Sequence, residues 1–166
     1  NKSESKEVAD NTSNEINEIN NSIVEDSLNA DLYVQRARIS LANEQVGSAI
    51  KDINTALSID KKNIDALLVL ADVYYALGDE DNIMLTLNKA CEYAPLDPRP
   101  VVKLSELSFL QGNSQLANAY IDKLIRTGYT ENNLDGVQSV IHVFLREQGT
   151  TEWIERKDAS YDQGHT

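Results

Sequence analysis

Three related strings of nine residues recur in this chain at a constant interval. They read ARISLANEQ at residues 37–45, ADVYYALGD at residues 71–79 and SELSFLQGN at residues 105–113, which defines a 34-residue frame. Each string lies in an apolar pattern of helical period, and a second pattern of the same kind follows it. A fixed period of this length is typical of repeat architectures, in which helix pairs stack to bury their apolar sides. The sequence therefore predicts a stack of helix pairs.

The composition favours helices over a loop-rich β fold. Of the 166 residues, 41% are hydrophobic, which is enough for one core, whereas only three are Pro and seven are Gly. A loop-rich β protein uses more of these two residues at its turns. The length is that of one domain.

The formal net charge of −12 disfavours nucleic acid and anionic lipid surfaces as partners. Such polyanions are bound by clustered Lys and Arg, and the nearest approach to a cluster in this sequence is Lys61 beside Lys62. No apolar run approaches the ~18–20 residues that span a bilayer, so we expect no direct insertion of the chain into a membrane.

Start and stop signals agree with the 34-residue frame. Gly78 suits a left-handed helix end, Asp79 suits the N-cap of the next helix, and Pro98 suits a first helical turn. The polar residues 1–14 are expected to form a flexible linker. The expected organisation is a folded domain over residues 15–149, with repeats at 30–63, 64–97 and 98–131, a capping helix over 133–148 and a tail over 150–166.

The repeating unit resembles the tetratricopeptide repeat (TPR) family, a helix–turn–helix of about 34 residues. The second unit matches that family's pattern best, with Leu67, Leu70, Ala71, Tyr74, Leu87, Ala90 and Pro95 in register. The resemblance implies an all-α fold, a right-handed superhelical solenoid of three TPR helix pairs with a partial N-terminal helix and a C-terminal capping helix. Some positions depart from the pattern: Arg36 stands where Leu is usual, Ser40 and Ser108 where Tyr is usual, and Ile83 where a small Ala is expected.

The resemblance also implies that the first helix of each pair lines a concave groove. Two apolar columns recur there once in every repeat, one of Val34, Leu68 and Val102 and the other of Leu41, Tyr75 and Phe109. Such columns are able to hold an apolar peptide or helix face. The alternative is that these side chains pack against the neighbouring first helix and meet no ligand.

The predicted partner-binding residues combine these columns with polar residues expected on the same side. Certain relatives grip the carboxylate tails of heat-shock chaperones with a Lys/Asn/Arg clamp in these helices. Here Val34 and Val102 fall at the Lys places and Glu106 at the Arg place, so that ligand is not expected. The predicted groove residues are Val34, Arg38, Leu41, Leu68, Asp72, Tyr75, Arg99, Val102, Lys103, Glu106 and Phe109, and Asp31 and Asp65 are further polar candidates.

No residue pattern predicts catalysis, a metal site or a cofactor. His142 and His165 lack the spacing of metal ligands, and the single Cys91 is expected to be a small buried apolar residue. The acidic stretch at residues 79–82 is better explained as a capped helix start than as a calcium loop, because such a loop needs ligands alternating over about twelve residues. We therefore expect no enzyme activity.

The leading functional hypothesis is a non-enzymatic scaffold or adaptor that binds a peptide or helix of a protein partner, as part of a larger assembly. A first alternative is a structural lipoprotein subunit of a bacterial cell-envelope complex, in the periplasm or at the outer membrane. The Ser/Asn/acid-rich start resembles the spacer of bacterial TPR lipoproteins, including those of Bacteroidota, although their lipidated cysteine is not in this sequence. A second alternative is a regulatory module of a larger enzyme.

Overall fold

The computed structural model describes the backbone of residues 2–126 and the side chains of residues 12–124. Over this part of the chain the fold is entirely helical, which confirms the all-α, TPR-like repeat fold. The seven described helices are α1 (Lys2–Glu25), α2 (Ala30–Ala42), α3 (Val46–Ile59), α4 (Ile64–Leu77), α5 (Glu80–Tyr93), α6 (Pro98–Leu110) and α7 (Ser114–Arg126).

The chain divides into two compact units, Asn1–Pro95 and Leu96–Thr166. In the first unit each first helix packs on its second helix, α2 on α3 and α4 on α5, and the two pairs meet through α3 with α4 and α2 with α4. Helix α1 packs on α2. In the second unit, α6 packs on α7. The expected helix–turn–helix order is therefore present in both units.

The first helix of every repeat begins with the same capping device. Asn29, Asn63 and Asp97 occupy the same position of the 34-residue frame, and the side-chain oxygen of each accepts a hydrogen bond from a backbone amide of the first helical turn. This bond satisfies one of the amides that have no partner inside the helix. Asp79 does the same for α5, as predicted, by accepting from the amide of Asn82 at 3.2 Å.

The first helices also end alike, in a Schellman motif with one left-handed residue. These residues are Glu44, Gly78 and Gly112, with φ of 60°, 69° and 75°, and they too are equivalent positions of the frame. In the first repeat the amide of Gln45 donates to the carbonyl of Ser40 at 2.8 Å, which closes the last turn of α2. Gly suits this conformation because it has no Cβ, whereas Glu44 adopts it at an energetic cost.

The core of the first unit lies between α2, α3 and α4. Ala37 and Ala71 are 0% and 2% exposed, so small side chains stand where helices approach closely. Ile53 is fully buried and contributes about 1.5–3 kcal/mol through the removal of its side chain from water. The buried core cluster comprises Ala30, Val34, Ala37, Ala49, Ile53, Ala56, Ala66, Val69 and Val73.

The N-terminal segment differs from the expected flexible linker over residues 1–14, because α1 begins at Lys2 and runs through that segment to Glu25. No Gly or Pro precedes Gly47 in the sequence, so no residue in the segment interrupts a helix. A polar composition indicated solvent contact but did not exclude helical structure. The predicted capping helix over 133–148 and tail over 150–166 lie outside the described residues, and the domain boundaries remain a prediction.

Candidate partner-binding face

Helices α2 and α4 share one face, and two side-chain contacts mark the line along which they meet. A guanidinium nitrogen of Arg38 lies 3.1 Å from a carboxylate oxygen of Asp65. The side-chain amide nitrogen of Asn63 lies 2.8 Å from a carboxylate oxygen of Asp31. Side chains spaced by three or four residues lie on one side of a helix. We define the α2/α4 face as Asp31, Val34, Arg38 and Leu41 of α2 with Asp65, Leu68, Asp72 and Tyr75 of α4.

The middle of the α2/α4 face is closed by packing. Val34 and Leu68, from the first predicted apolar column, are only 3% and 5% exposed. Their burial corresponds to the alternative stated for this column, in which the side chains pack against neighbouring helices. In the first unit this column therefore stabilises the helix stack and offers little surface to a partner.

The second predicted column lies differently, at the carboxyl ends of α2 and α4. Tyr75 is 63% exposed and Leu41 is half-buried against the core. An exposed aromatic ring combines a large apolar surface with a hydroxyl, and such residues are enriched where proteins bind one another. The exposed apolar side chain of the α2/α4 face is thus that of Tyr75.

Both acidic and basic side chains belong to the α2/α4 face. They are the carboxylates of Asp31, Asp65 and Asp72 and the guanidinium of Arg38. The Arg38 and Asp65 side chains are 54% and 44% exposed, so solvent screens their ion pair and it adds at most about 1 kcal/mol. The pair links α2 to α4 across this face.

The predicted site residues of the second unit all lie on α6. Val102, Lys103, Glu106 and Phe109 are half-buried along that helix. Arg99 is exposed but folds back on its own helix start, where its guanidinium lies 2.7 Å from the Asp97 carboxylate. One of the two predicted basic groove residues of α6, Arg99, is therefore paired with the carboxylate that caps the helix.

The contact between Asp97 and Arg99 changes the acidity of the cap. Partial burial acts to raise the pKa of Asp97, but hydrogen bonds from the side chain and backbone of Arg99 outweigh it and hold that pKa below its ordinary value. The ionised carboxylate is thus the form that stabilises the start of α6.

A buried ionic contact at Arg36 was missed by the reasoning from sequence, although the residue departs from the family pattern. Arg36 donates two hydrogen bonds to the Asp52 carboxylate, at 2.6 and 2.8 Å, and a third to the side-chain oxygen of Asn20 at 2.6 Å. Asp52 is only 7% exposed, and its hydrogen bond raises the pKa of Arg36. The guanidinium therefore joins α1, α2 and α3. The sequence signal for this contact was the presence of two opposite charges, Arg36 and Asp52, at core positions of the first repeat.

Over the described residues we find no group of three or more His, Cys, Asp or Glu side chains placed to hold a metal ion. Asp79 is engaged in capping α5, which accounts for the acidic stretch considered as a calcium loop. Cys91 is buried in α5. No helix in this part of the chain is long and apolar enough to cross a membrane.

Comparison with known proteins agrees with this architecture. The family model for the tetratricopeptide repeat matches residues 30–63 and 64–95. No curated protein matches the chain. Among solved structures, a thermophilic TPR protein of Thermus thermophilus is similar with a TM-score of 0.62 and 14% identity, over 94% of this chain and 93% of that one.

Two crystal structures of MamA are similar as well. One has a TM-score of 0.60 and 19% identity, over 70% of this chain and 68% of that one. The other has a TM-score of 0.61 and 18% identity, over 75% and 68% of the two chains. Identities of this size show a shared fold alone, so the chain has the fold of a TPR protein, and the family model adds that residues 30–63 and 64–95 match the tetratricopeptide repeat.

Proposed function

We propose that this chain is a non-enzymatic scaffold that binds a peptide or helix of a protein partner on the α2/α4 face. The observation that supports this most directly is the exposure of Tyr75, at 63%, on the side where α2 and α4 meet. Aromatic side chains are enriched where proteins bind one another, and TPR helix pairs offer such surfaces to extended or helical segments.

The capping and packing of α4 do not depend on the exposed ring. Helix α4 is capped by Asn63 and ends at Gly78, and its buried side is formed by other residues, including Leu67, Val69 and Val73. Replacing Tyr75 with Ala should therefore leave the fold intact and remove only surface.

Copurification followed by mass spectrometry tests the proposal, with the tagged chain as bait. The matched control is Leu85→Ala, because Leu85 is 67% exposed but lies on α5, away from the α2/α4 face. We expect Tyr75→Ala to lose a captured protein that the parent chain and Leu85→Ala retain, with helicity by circular dichroism equal in all three. Equal capture by Tyr75→Ala would contradict the proposal.

The envelope lipoprotein and the enzyme module remain predictions. The sequence of the encoded precursor tests both, since the first requires a lipidated cysteine before residue 1 and the second requires a catalytic domain.

A further inference from the structure

We infer that Lys62, Lys89 and Tyr93 form a second binding site, which holds a carboxylate of an acidic protein segment. We define the lysine–tyrosine cluster as these three residues. Lys62 lies in the turn before α4, whereas Lys89 and Tyr93 belong to α5. Both lysines are exposed and the tyrosine is half-buried. The proposed function places a partner on the α2/α4 face, so this inference adds another site to it.

The ring of Tyr93 joins the two lysines, which are distant in sequence. The ammonium of Lys62 lies 5.5 Å from the centroid of this ring, and the ammonium of Lys89 lies 5.8 Å from the same centroid. Lys89 and Tyr93 are spaced by four residues on α5, so both lie on one side of that helix. The fold thus brings two positive charges together beside one aromatic ring.

These two ammonium groups have no carboxylate partner in the described part of the chain. The sequence contains 27 Asp and Glu residues, yet no described carboxylate forms an ion pair with Lys62 or Lys89. Contact with an aromatic ring attracts an ammonium group but leaves its charge and its N–H donors unneutralised. Two positive charges beside one ring repel each other, and a bound anion removes that repulsion. The cluster is therefore suited to an anionic ligand.

The carboxylates that are adjacent in sequence do not fill this role. The carboxylate of Asp60 accepts a hydrogen bond from the backbone amide of Lys62 at 3.0 Å, which stabilises the turn and leaves the ammonium without a partner. Glu92 is exposed and makes no described ion pair with Lys89, three residues before it. Lys61 is exposed as well and adds a third positive charge beside the cluster. The charge available to a ligand there is therefore positive, although the chain as a whole is acidic.

The small size of the cluster determines the class of anion. Nucleic acids and anionic membranes carry many charges and require an extended basic surface. A chain with a net charge of −12 repels such an extended polyanion. A single carboxylate needs only a few donors, and it is attracted at short range, because salt screens exposed charges beyond about 8 Å. An Asp or Glu side chain of a protein segment meets these requirements.

Heteronuclear NMR titration of the intact, isotopically labelled chain tests the inference, because it both detects weak binding and locates it. The Glu peptide has two central Glu residues flanked by Gly and Ser, and the Gln peptide has Gln in their place. We expect saturable shift changes at the cluster with the Glu peptide, and binding on the order of tenfold weaker with the Gln peptide. Added salt should weaken the Glu peptide. An oligothymidine with the same number of negative charges should bind no more tightly.

Matched variants assign the binding to the cluster. Lys62→Gln combined with Lys89→Gln should weaken the Glu peptide severalfold, whereas Lys51→Gln combined with Lys123→Gln should not. The second pair removes the same charge from exposed positions of α3 and α7. Tyr93→Phe keeps the ring that holds the ammonium groups and should retain binding, whereas Tyr93→Leu should weaken it. Circular dichroism verifies that every variant folds.

The outcomes separate this inference from the proposed function. Absence of saturable shift changes at the cluster, equal binding of the Glu and Gln peptides, tighter binding of the oligothymidine, or equal weakening by the two lysine pairs overturns it. Tyr75→Ala should leave the Glu peptide bound as in the parent chain, because Tyr75 lies near the end of α4 and Lys62 precedes its start. If Tyr75→Ala weakens the Glu peptide as much as the loss of Lys62 and Lys89 does, the cluster is not the site. Partner capture by the α2/α4 face is measured independently of these titrations.

Discussion

Glu44 gives the sharpest test of how the repeats are built. It occupies the left-handed position that Gly78 and Gly112 occupy in the next two repeats, with a φ of 60°. Among the described residues, Glu44 is the one non-glycine residue with a positive φ. Replacing Glu44 with Gly should therefore stabilise the first helix pair, although it removes a side chain.

The expected gain follows from two opposing contributions. A left-handed conformation costs an L-residue about 1–2 kcal/mol, which Gly does not pay. Gly in turn loses about 0.4–1 kcal/mol more backbone entropy on folding. The net gain for Glu44→Gly is about 0.5–1 kcal/mol in the free energy of unfolding.

The reverse change at the equivalent position should show a loss of the same size. A Cβ built at Gly78 meets nothing within 4 Å, so Gly78→Ala introduces no collision and its cost lies in the backbone conformation alone. We expect a loss of about 0.5–1 kcal/mol, since the same two contributions apply with opposite sign.

Urea unfolding followed by far-ultraviolet circular dichroism measures both changes. Glu44→Ala is the control, because it removes the carboxylate but keeps a Cβ at the left-handed position, and it should stay within about 0.5 kcal/mol of the parent. If Glu44→Gly is no more stable than Glu44→Ala, the backbone explanation is refuted and any gain comes from the lost charge.

Three further predictions concern the buried contacts and the cap of α6. Arg36→Leu leaves the Asp52 carboxylate, which is 7% exposed, without its cation and should lower the free energy of unfolding by about 3 kcal/mol. Adding Asp52→Ala should recover part of this loss, because the two residues form a coupled pair. If urea unfolding shows that the costs of the two single changes simply add, the coupling is contradicted. Ile53→Ala empties a fully buried site and should cost about 2–5 kcal/mol in the same assay, whereas a cost below about 1 kcal/mol would show that the core collapses around it. The pKa of Asp97 is lowered in the folded chain, so its contribution to stability is present above the ordinary carboxyl pKa and is lost as pH falls through the lowered value. Asp97→Asn should therefore reduce the loss of stability on acidification. Urea unfolding that shows the same loss of stability at low pH in Asp97→Asn and in the parent chain would contradict this.

Local signals in the sequence predicted the helix boundaries well. Helix α4 begins at Ile64, where the second repeat was expected to start, and ends just before Gly78, and α6 begins at Pro98 as its proline indicated. These boundaries depend on backbone groups within one turn of the cap, so the residues that determine them are adjacent in sequence. The left-handed conformation of Glu44 was not predicted in this way, because glutamate has no preference for it. The position of Glu44 in the 34-residue frame, equivalent to Gly78 and Gly112, is the sequence feature that indicates it.

The apolar columns of the candidate face were visible in the sequence, but the burial of their side chains was not. The column of Val34 and Leu68 and the column of Leu41 and Tyr75 are both apolar and both at helical spacing, so periodicity alone cannot tell which one is buried. The answer depends on how closely α2 and α4 approach, and the Arg38–Asp65 contact shows which edges of the two helices meet. That is a property of packing between residues 27 positions apart, beyond the reach of a helical pattern.

The contact at Arg36 shows why one repeat departs from the others. The equivalent positions one and two repeats later are Leu70 and Leu104, both apolar, and Leu104 is fully buried. The first repeat packs on α1, a helix of polar composition that supplies the side-chain oxygen of Asn20 to the guanidinium. An arginine can bridge that polar neighbour to Asp52, whereas a leucine there would leave the buried carboxylate without a partner. The departure from the family pattern therefore reflects the neighbour that the first repeat packs on, and α1 is part of the folded unit because its amide completes this contact.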